Sequence, residues 1–446
     1  MRILHTADWH LGKSLEQISR LPEQKEFIDD LSRIADEHQV DLVLVAGDIF
    51  DTYNPSAAAE ELFYDAIERL NAGGRRAVVV IAGNHDNPER LCAASPLAYK
   101  NGIILLGYPG SDAGEYTIDS PAVRWIAGGR GWLELHLSSC DQNVVLLTLP
   151  YPSEARLEDL LSETADEALL QKAYEQRIGK ILEKLSTNFR EDTVNIVVSH
   201  LFMLGGKTSD SERTLQVGGA LTVAAEVMPA NTDYVALGHL HRPQKISGGH
   251  CPIYYAGSPL AYSFSEAGYS KAVYLVDIEP GTAAKVEPIY LNSGKPLVKW
   301  RAQEGVAEAI RWCEAGRDKD AWVDLEIVTD RVLTMEEQKL IRQLHPGIVN
   351  IRPRLLHTDS PDAVSINRET KKIDELFREY YQYRLGIEIP DEIMQVFLQI
   401  VNDEALLADE ALTEDATEAE AEVEALEACQ AEDKGGVEDA PQNSGN

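Results

Sequence analysis

The sequence predicts a layered α/β domain, followed by a smaller α/β module and a helical C-terminal segment. Two observations indicate this fold class. Apolar runs bounded by turn residues alternate with helical patterns throughout residues 1–280, which is typical of helices packed outside sheets. From residue 295 onward, a short stretch shows a second pattern, in the order strand, helix, strand, helix, strand. That is enough for a small independent unit.

Six apolar runs in the first domain are rich in Val, Ile and Leu, as expected for strands buried on both faces. They cover Arg2–Thr6, Asp41–Ala46, Ala77–Ala82, Val144–Leu149, Val194–Ser199 and Tyr234–Leu237. Between them, apolar residues at helical spacing predict helices over Glu23–His38, Ala57–Asn71 and Ala165–Leu185. Ser56 is placed to cap the second of these helices. We assign residues 1–290 to this domain.

The second module, residues 295–356, is predicted from five shorter patterns. They are a strand at Pro296–Trp300, a helix at Val306–Cys313, a strand at Trp322–Val328, a helix at Met335–Leu344 and a strand at Ile348–Pro353. Residues 364–402 follow with two amphipathic helical patterns that have no core of their own, so we expect them to bind a partner. Residues 404–446 form an acidic tail that is predicted to be disordered.

Composition limits the function classes. The net charge of −33 opposes a polyanionic partner. The tail, with fourteen acidic residues against one Lys, accounts for −13 of it, and bound metals or a basic partner subunit can offset the remainder. Five scattered Cys indicate reduced thiols in the cytoplasm. The N-terminal residues MRILHTADWH have the pattern of a strand, not of a signal peptide. No apolar run approaches the ~18 residues of a membrane span.

Residues of metal-ligand type stand where the apolar runs end. They are Asp8, His10, Asp48, Asn84, His85, His200, His239 and His241. Because ligands bind at the carboxyl ends of strands in α/β sheets, these side chains are expected to converge. Carboxylate, amide and imidazole donors without thiolate suit Mn²⁺, Fe or Zn²⁺ at paired sites, and Mn²⁺ in particular. The set therefore predicts a two-metal phosphoesterase site.

Each of these blocks is common by itself. A Gly-Asp pair is usually a turn, and an isolated His such as His200 is more often a packing residue than a ligand. Gly83-Asn84-His85-Asp86 is more specific, because a turn alone does not require His85. We expect His85 to act as a general acid or transition-state donor. For Asp86 we favour a structural role, such as capping the next turn, over orienting His85.

These blocks resemble the calcineurin-like metallophosphoesterase superfamily. The segments MRILHTADWHLGK, VAGDIFDTYNPS, VALGHLHRPQ and YYAGSPLAYSF resemble the SbcD family more closely, and the similarity spans roughly residues 1–405. The resemblance implies that Asp48 bridges the two ions. One ion would be held by Asp8, His10, Asp48 and His241, and the other by Asp48, Asn84, His200 and His239.

The resemblance also implies an activity and partners. It indicates a Mn²⁺-dependent exonuclease and endonuclease acting on DNA ends and hairpins. The partners would be an SbcC-type coiled-coil ATPase and a second copy of the nuclease domain. Residues 295–356 would cap the DNA, and residues 364–402 would grip the ATPase coiled coil. Archaeal and eukaryotic relatives carry a histidine three residues after the bridging aspartate. This chain has Asp51 there, so no transition-state role is expected at that position.

Two other functions remain open from the sequence alone. A phosphoesterase acting on a small molecule or a protein would use the same metals, but it would not need the roughly 110 residues of the module and helical segment. A scaffold that has lost its metals would keep the fold without the ligands. The complete set of ligands together with His85 favours an enzyme.

Overall fold

The computed structural model describes residues 1–115, 118, 120, 122–153, 155–157, 167–210, 212 and 221–355, together with residues 376–378, 381, 389, 393, 394 and 397. Residues 1–358 form one compact unit and residues 359–446 a second. The predicted fold class is confirmed in the first unit, where two mixed sheets pack face to face with helices on their outer surfaces.

The strands before residue 150 are β1 Arg2–Thr6, β2 Ser14–Leu15, β3 Ile18–Ser19, β4 Leu42–Ala46, β5 Ala77–Ile81, β6 Ile103–Leu106, β7 Val123–Gly129, β8 Trp132–Leu137 and β9 Gln142–Leu149. Those after it are β10 Val194–His200, β11 Phe202–Met203, β12 Thr222–Val223, β13 Tyr234–Gly238, β14 Gln244–Ile246, β15 Ile253–Tyr255, β16 Ala272–Asp277, β17 Lys285–Tyr290, β18 Leu297–Ala302, β19 Trp322–Thr329 and β20 Ile348–Leu355.

The α-helices are α1 Leu21–Glu37, α2 Ala57–Asn71, α3 Pro88–Cys92, α4 Ser95–Ala98, α5 Glu167–Leu185, α6 Val306–Glu314 and α7 Met335–Leu344. Ser56 caps α2 as predicted, because its hydroxyl accepts from the backbone N–H of Ala59 at 3.3 Å. Every strand and helix predicted for residues 1–355 is present, with ends shifted by one or two residues. The strands β6, β7, β8 and β14 to β17 were not predicted, nor were the short pairs β2–β3 and β11–β12.

Parallel strands form the centre of both large sheets. The first sheet has the order β17-β16-β1-β4-β5-β6, in which β1, β4, β5 and β6 run parallel. The second has the order β14-β15-β13-β10-β9-β8-β7, in which β9, β10, β13 and β15 run parallel. In each sheet, the carboxyl ends of the parallel strands therefore lie at one edge.

Apolar side chains alternate between two layers on each sheet. One face of both sheets fills the shared interior with residues such as Leu44, Val79, Ile196 and Ala236. The other face of the first sheet packs against α1 and α2, and that of the second sheet packs against α5. This four-layer packing explains why the central strands are apolar throughout, since both of their faces are buried.

The small module is a three-stranded sheet in the order β18-β19-β20, all parallel, with α6 and α7 on one face. Its contact with the large domain centres on Glu23 of α1. The Glu23 carboxylate accepts from the backbone N–H of Lys295 at 2.6 Å and from the indole N–H of Trp322 at 3.1 Å. Leu15, Phe264 and Leu297 add an apolar contact beside it.

The predicted acidic tail at 404–446 lies outside the described residues, as does most of the predicted helical segment at 364–402. Within the second unit, the rings of Phe377 and Phe397 are stacked with their centroids 3.7 Å apart. Among the residues that the structure describes, no helix combines the length and apolar character needed to cross a membrane.

Candidate metal centre

The eight residues predicted for the site converge at the shared carboxyl edge of the two sheets. Asp8 and His10 follow β1, Asp48 follows β4, and Asn84 and His85 follow β5 in the first sheet. The second sheet contributes three histidines: His200 ends β10, and His239 and His241 follow β13. Residues separated by up to 233 positions in the chain therefore meet at one point.

Close backbone approach at this edge depends on glycine. A Cβ atom at Gly238 would overlap the carbonyl of Ala46, and one at Gly83 would overlap the carboxylate of Asp48. Several site residues also have positive φ angles, a conformation that costs free energy for residues with a Cβ and clusters at functional sites. These are Asp8 (53°), His10 (46°), Asp48 (49°) and His239 (111°).

One group of potential metal ligands, a donor cluster, consists of Asp8, His10 and His241, whose ligand atoms all lie within 4.8 Å of one another. The Nε2 atoms of His10 and His241 are 2.9 Å apart. Oδ2 of Asp8 is fully buried and has no hydrogen-bond partner among the described residues. A buried carboxylate oxygen without a donor is unfavourable, so this cluster fits a bound cation.

The other donor cluster contains Asp48, His200 and His239, with the amide of Asn84 beside them. Oδ1 of Asn84 lies 3.0 Å from Nε2 of His200 and 2.9 Å from Nδ1 of His239. Nδ1 of His200 donates to the carbonyl of Ala46 at 2.8 Å. That contact places the proton of a neutral His200 on Nδ1 and directs the lone pair of Nε2 toward the cluster.

Asp48 lies between the two clusters. Its Oδ2 atom is 3.7 Å from Nε2 of His10 and 3.4 Å from Nε2 of His200, while Oδ1 accepts from the backbone N–H of His85 at 2.8 Å. One carboxylate thus faces both clusters, as a ligand shared by two ions would.

The electrostatics of the centre indicate a need for positive charge. Burial raises the pKa of Asp8 well above its ordinary value. The pKa of Asp48 is well below its ordinary value, because His200 and other imidazoles outweigh the effect of burial. Burial also lowers the pKa of His200, but Asp48 and Asp8 raise it to about 9. A divalent cation would supply the same compensation and compete with these protons.

His85 stands beside both clusters. Its Nδ1 donates to the carbonyl of Asp51 at 2.7 Å, and its Nε2 is 4.0 Å from Oδ2 of Asp48. Its ring packs edge-on against His10, with the centroids 4.7 Å apart. The contact with the Asp51 carbonyl fixes the ring orientation and leaves Nε2 on the side of the ligands.

Some residues that contact the centre were not identified from the sequence. The Glu266 carboxylate lies 3.9 Å from Nδ1 of His241 and accepts from the buried ammonium of Lys271. The same ammonium donates to the carbonyl of His241 at 2.9 Å. The Asp51 carboxylate lies 3.5 Å from Nδ1 of His10. No spacing pattern pointed to Glu266 or Lys271, because they reach His241 from a separate part of the chain. Asp51 was named only for its position three residues after Asp48, not for a contact with His10.

Asp86 has the structural role favoured for it, although through a contact other than a cap. Its carboxylate accepts from the backbone N–H groups of Gly83, Ile49 and Phe50 at 2.8, 3.1 and 2.9 Å. It therefore ties the loop after β5 to the loop after β4. The cap of α3 is Asn87. Burial raises the pKa of Asp86 to about 6.

Comparison with known proteins places this centre in a family. Residues 1–243 match the model described as "Calcineurin-like phosphoesterase", and residues 293–384 match the model SbcD_C, described as "Type 5 capsule protein repressor C-terminal domain". A zebrafish (Danio rerio) dimetal phosphatase aligns with a TM-score of 0.37 and 12% identity, over 64% of this chain and 98% of its own.

Three curated relatives carry the name of SbcD, one of the subunits of the nuclease SbcCD, and two of them align with about nine tenths of this chain. The protein from Bacillus subtilis is 46% identical over 90% of this chain and 98% of its own length. The one from Staphylococcus epidermidis is 29% identical over 91% and 100%. The one from Rhodobacter capsulatus is 34% identical over 68% and 72%. The chain therefore belongs to the SbcD group of the calcineurin-like phosphoesterase family.

Proposed function

We propose that this chain is a Mn²⁺-dependent DNA exonuclease and endonuclease that cleaves double-stranded ends and hairpins. The observation that carries the proposal is the position of Asp48 between two donor clusters, with His85 alongside. A pair of adjacent cation sites is the arrangement that the two-metal mechanism of phosphodiester hydrolysis uses. The name of the relatives, nuclease, supports a nucleic acid as the substrate.

The donor set fits two divalent ions. Asp8, His10, Asp48 and His241 would hold one ion, and Asp48, Asn84, His200 and His239 the other. Carboxylate, amide and imidazole donors without thiolate favour Mn²⁺. When bound, such ions act as Lewis acids toward the phosphoryl oxygens and activate water.

We assign His85 the role of proton donor. Because Nδ1 is committed to the carbonyl of Asp51 at 2.7 Å, the proton that reaches substrate is carried on Nε2. From there His85 would protonate the leaving oxygen or donate a hydrogen bond to the phosphoryl group in the transition state. The backbone N–H of His85 donates to Asp48 at 2.8 Å, which fixes the backbone of His85 against the shared carboxylate.

The small module, residues 295–356, would cap the DNA. The face of its sheet opposite α6 and α7 carries a row of charged side chains. Four are cations, Lys299, Arg301, Arg352 and Arg354, and two are carboxylates, Asp324 and Glu326. An excess of cations on one face of so acidic a protein suits contact with a phosphate backbone. A small-molecule phosphoesterase has no need of it.

The remaining partners follow from the family. Residues 364–402 would grip the coiled coil of an SbcC-type ATPase, and two copies of the nuclease domain would form a homodimer. The name of the relatives denotes one part of a complex. We place the assembly in the cytoplasm, in keeping with the scattered cysteines, of which Cys92, Cys140, Cys251 and Cys313 are free thiols in the structure.

The test is cleavage of end-labelled double-stranded and hairpin DNA by the purified chain, with Mn²⁺ and then with excess EDTA. The matched variants are His85→Ala and His250→Ala, the latter at an exposed histidine away from the centre. Mn²⁺-dependent cleavage should be lost in His85→Ala, which keeps its metals, and retained in His250→Ala.

Two outcomes would contradict the proposal. Turnover of a generic phosphodiester without DNA cleavage, even when the ATPase partner is added, would indicate a small-substrate phosphoesterase. Failure to bind Mn²⁺ would indicate a scaffold that has lost the enzyme function.

A further inference from the structure

The carboxyl edge that carries the candidate metal centre continues to β6. β6 is parallel to β5 and forms the end of the first sheet. The chain leaves β6 through Gly107 and Tyr108, and there it borders a cavity of about 630 Å³. A cavity of that volume can enclose a small ligand of nucleotide size. Its position makes it the next space along the edge after the loop that carries Asn84 and His85.

Two guanidinium groups line this cavity, those of Arg130 and Arg156. Within the part of the chain that the structure describes, both groups donate to backbone carbonyls: Arg130 to that of Gly110, and Arg156 to those of Gly83, Tyr151 and Asp86. Arg130 packs against Gly110, where a Cβ atom would come within 2.9 Å of its guanidinium nitrogen, and its Nε donates to the carbonyl of Gly110 at 3.3 Å. Asp112 also lines the cavity. Its carboxylate accepts from the N–H of Gly114 at 2.8 Å. The lining therefore contains two guanidinium groups and one carboxylate.

An aromatic ring and hydroxyl groups complete the lining. Tyr108 is 41% exposed, and its backbone N–H donates to the hydroxyl of Ser111 at 2.9 Å. Ser95 and Tyr99 lie on the α4 side of the cavity. Guanidinium groups bind phosphate through paired N–H donors, and an exposed tyrosine ring offers a stacking surface for any base.

We propose that this cavity binds the terminal nucleotide of the DNA strand, with its 5′-phosphate on Arg130 and Arg156 and its base against Tyr108. The inference rests on the proposed nuclease function and adds a substrate subsite outside the metal centre. A nucleoside monophosphate has one charged end and one flat face. It therefore matches both features of the lining, whereas inorganic phosphate matches only the cations.

Arg156 links the subsite to the catalytic loop. Its guanidinium donates to the carbonyl of Gly83 at 3.1 Å and to that of Asp86 at 3.2 Å, on either side of Asn84 and His85. A phosphate bound to Arg156 would thus lie against the loop that presents His85. This arrangement favours cleavage near a strand end, since a nucleotide in the cavity would set the position of the next phosphodiester.

The test measures binding of deoxyadenosine 5′-monophosphate to the full chain in EDTA, by saturation-transfer NMR. EDTA removes metal-dependent binding, so the result does not depend on whether the chain cleaves DNA. The variant is Arg130→Gln. The control is Arg124→Gln, an exposed arginine on β7 that does not line the cavity. We expect Arg130→Gln to weaken binding at least tenfold and Arg124→Gln to leave it unchanged.

Tyr108→Ala tests the contribution of the base to binding separately from that of the phosphate. It should weaken binding of the nucleotide without changing the affinity for inorganic phosphate, which we expect to compete with the nucleotide. Circular dichroism would establish that each variant is folded. The proposal is overturned if the wild-type chain does not bind the nucleotide in EDTA, if Arg130→Gln binds it as the wild type does, or if phosphate alone binds equally well.

Discussion

The Nε2 atoms of His10 and His241 lie 2.9 Å apart although 231 residues separate the two histidines in the chain. Both side chains are almost fully buried. At this distance one neutral imidazole can donate its Nε2–H to the Nε2 of the other. Both Nε2 atoms can instead direct their lone pairs at one metal ion, which would displace that proton.

Metal content should change in steps when single ligands are removed. The wild type is expected to hold two Mn²⁺ ions per chain, and His241→Ala one, because His241 faces only the cluster with Asp8. Asp48→Asn should lower the content of both sites, since Asp48 faces both clusters. Elemental analysis after gel filtration measures this. Two ions retained by His241→Ala would contradict the assignment.

Mn²⁺ should also stabilise the fold. At a free concentration of 100 times Kd, one bound ion raises the free energy of unfolding by about 2.7 kcal/mol. Urea denaturation with Mn²⁺ and with EDTA measures the difference, which should shrink in Asp48→Asn. A wild-type chain whose stability is the same under both conditions would argue against preformed sites.

Glu266 should set the affinity of the ion that His241 binds. Its carboxylate faces Nδ1 of His241 at 3.9 Å, and such outer carboxylates typically change metal affinity by about 10- to 100-fold. Glu266→Gln keeps the shape and an acceptor for the N–H of Tyr262 but loses the charge. Titration calorimetry should show one weakened site and one unchanged site. The control is Glu287→Gln, at an exposed position on β17, and equal weakening of both sites would point to a general loss of structure.

His5 should make folding sensitive to mild acid. It is fully buried between the hydroxyl of Tyr234 and the carbonyl of Leu237, and burial lowers its pKa to about 3. In the unfolded chain His5 binds a proton below pH ~6.5, while the folded chain does not until about pH 3. The contribution of neutral His5 to stability is therefore full above pH ~6.5 and is lost as the pH falls toward 3.

The dependence of stability on the protonation of His5 can be measured by urea denaturation in EDTA at pH 7 and pH 5. Between these values His5 should account for a loss of about 2 kcal/mol. His5→Gln, which can keep both hydrogen bonds, should show a correspondingly smaller loss. If the two proteins lose the same stability, the loss must come from other groups.

The charged face of the small sheet, opposite α6 and α7, should contribute to DNA affinity without base specificity. Arg301→Gln and Arg354→Gln remove exposed cations that both pair with Glu326 on that face, at 3.0 and 3.5 Å, and each should lower the slope of log K against log salt by about 0.9 if it contacts one phosphate. Fluorescence anisotropy at several salt concentrations measures the slope. Arg331→Gln removes a cation that pairs with Glu337 outside that face, and it should leave the slope unchanged. Equal effects from all three variants would indicate a loss of charge with no defined contact.

Much of the fold was predictable because its signals are local. The apolar runs of β1, β4, β5, β10 and β13 are bounded by turn residues, and polar residues follow them directly. The antiparallel strands β7 and β8 lack such a run. In β7, exposed residues such as Arg124 alternate with less exposed ones, and in β8 the polar residues Glu134 and His136 interrupt the apolar ones. Their pairing depends on neighbouring strands, which periodicity alone does not reveal.

The sequence by itself determined which residues stand at the strand ends, because a ligand that follows a strand is placed by covalent connection. It could not determine what surrounds those ligands. Tertiary structure alone brings Glu266 and Lys271 against His241, ties Asp86 across two loops, and places Arg156 against the carbonyls beside His85. These contacts join separate loops whose spacing in the chain carries no periodic signal, so only the packing of the two sheets decides them.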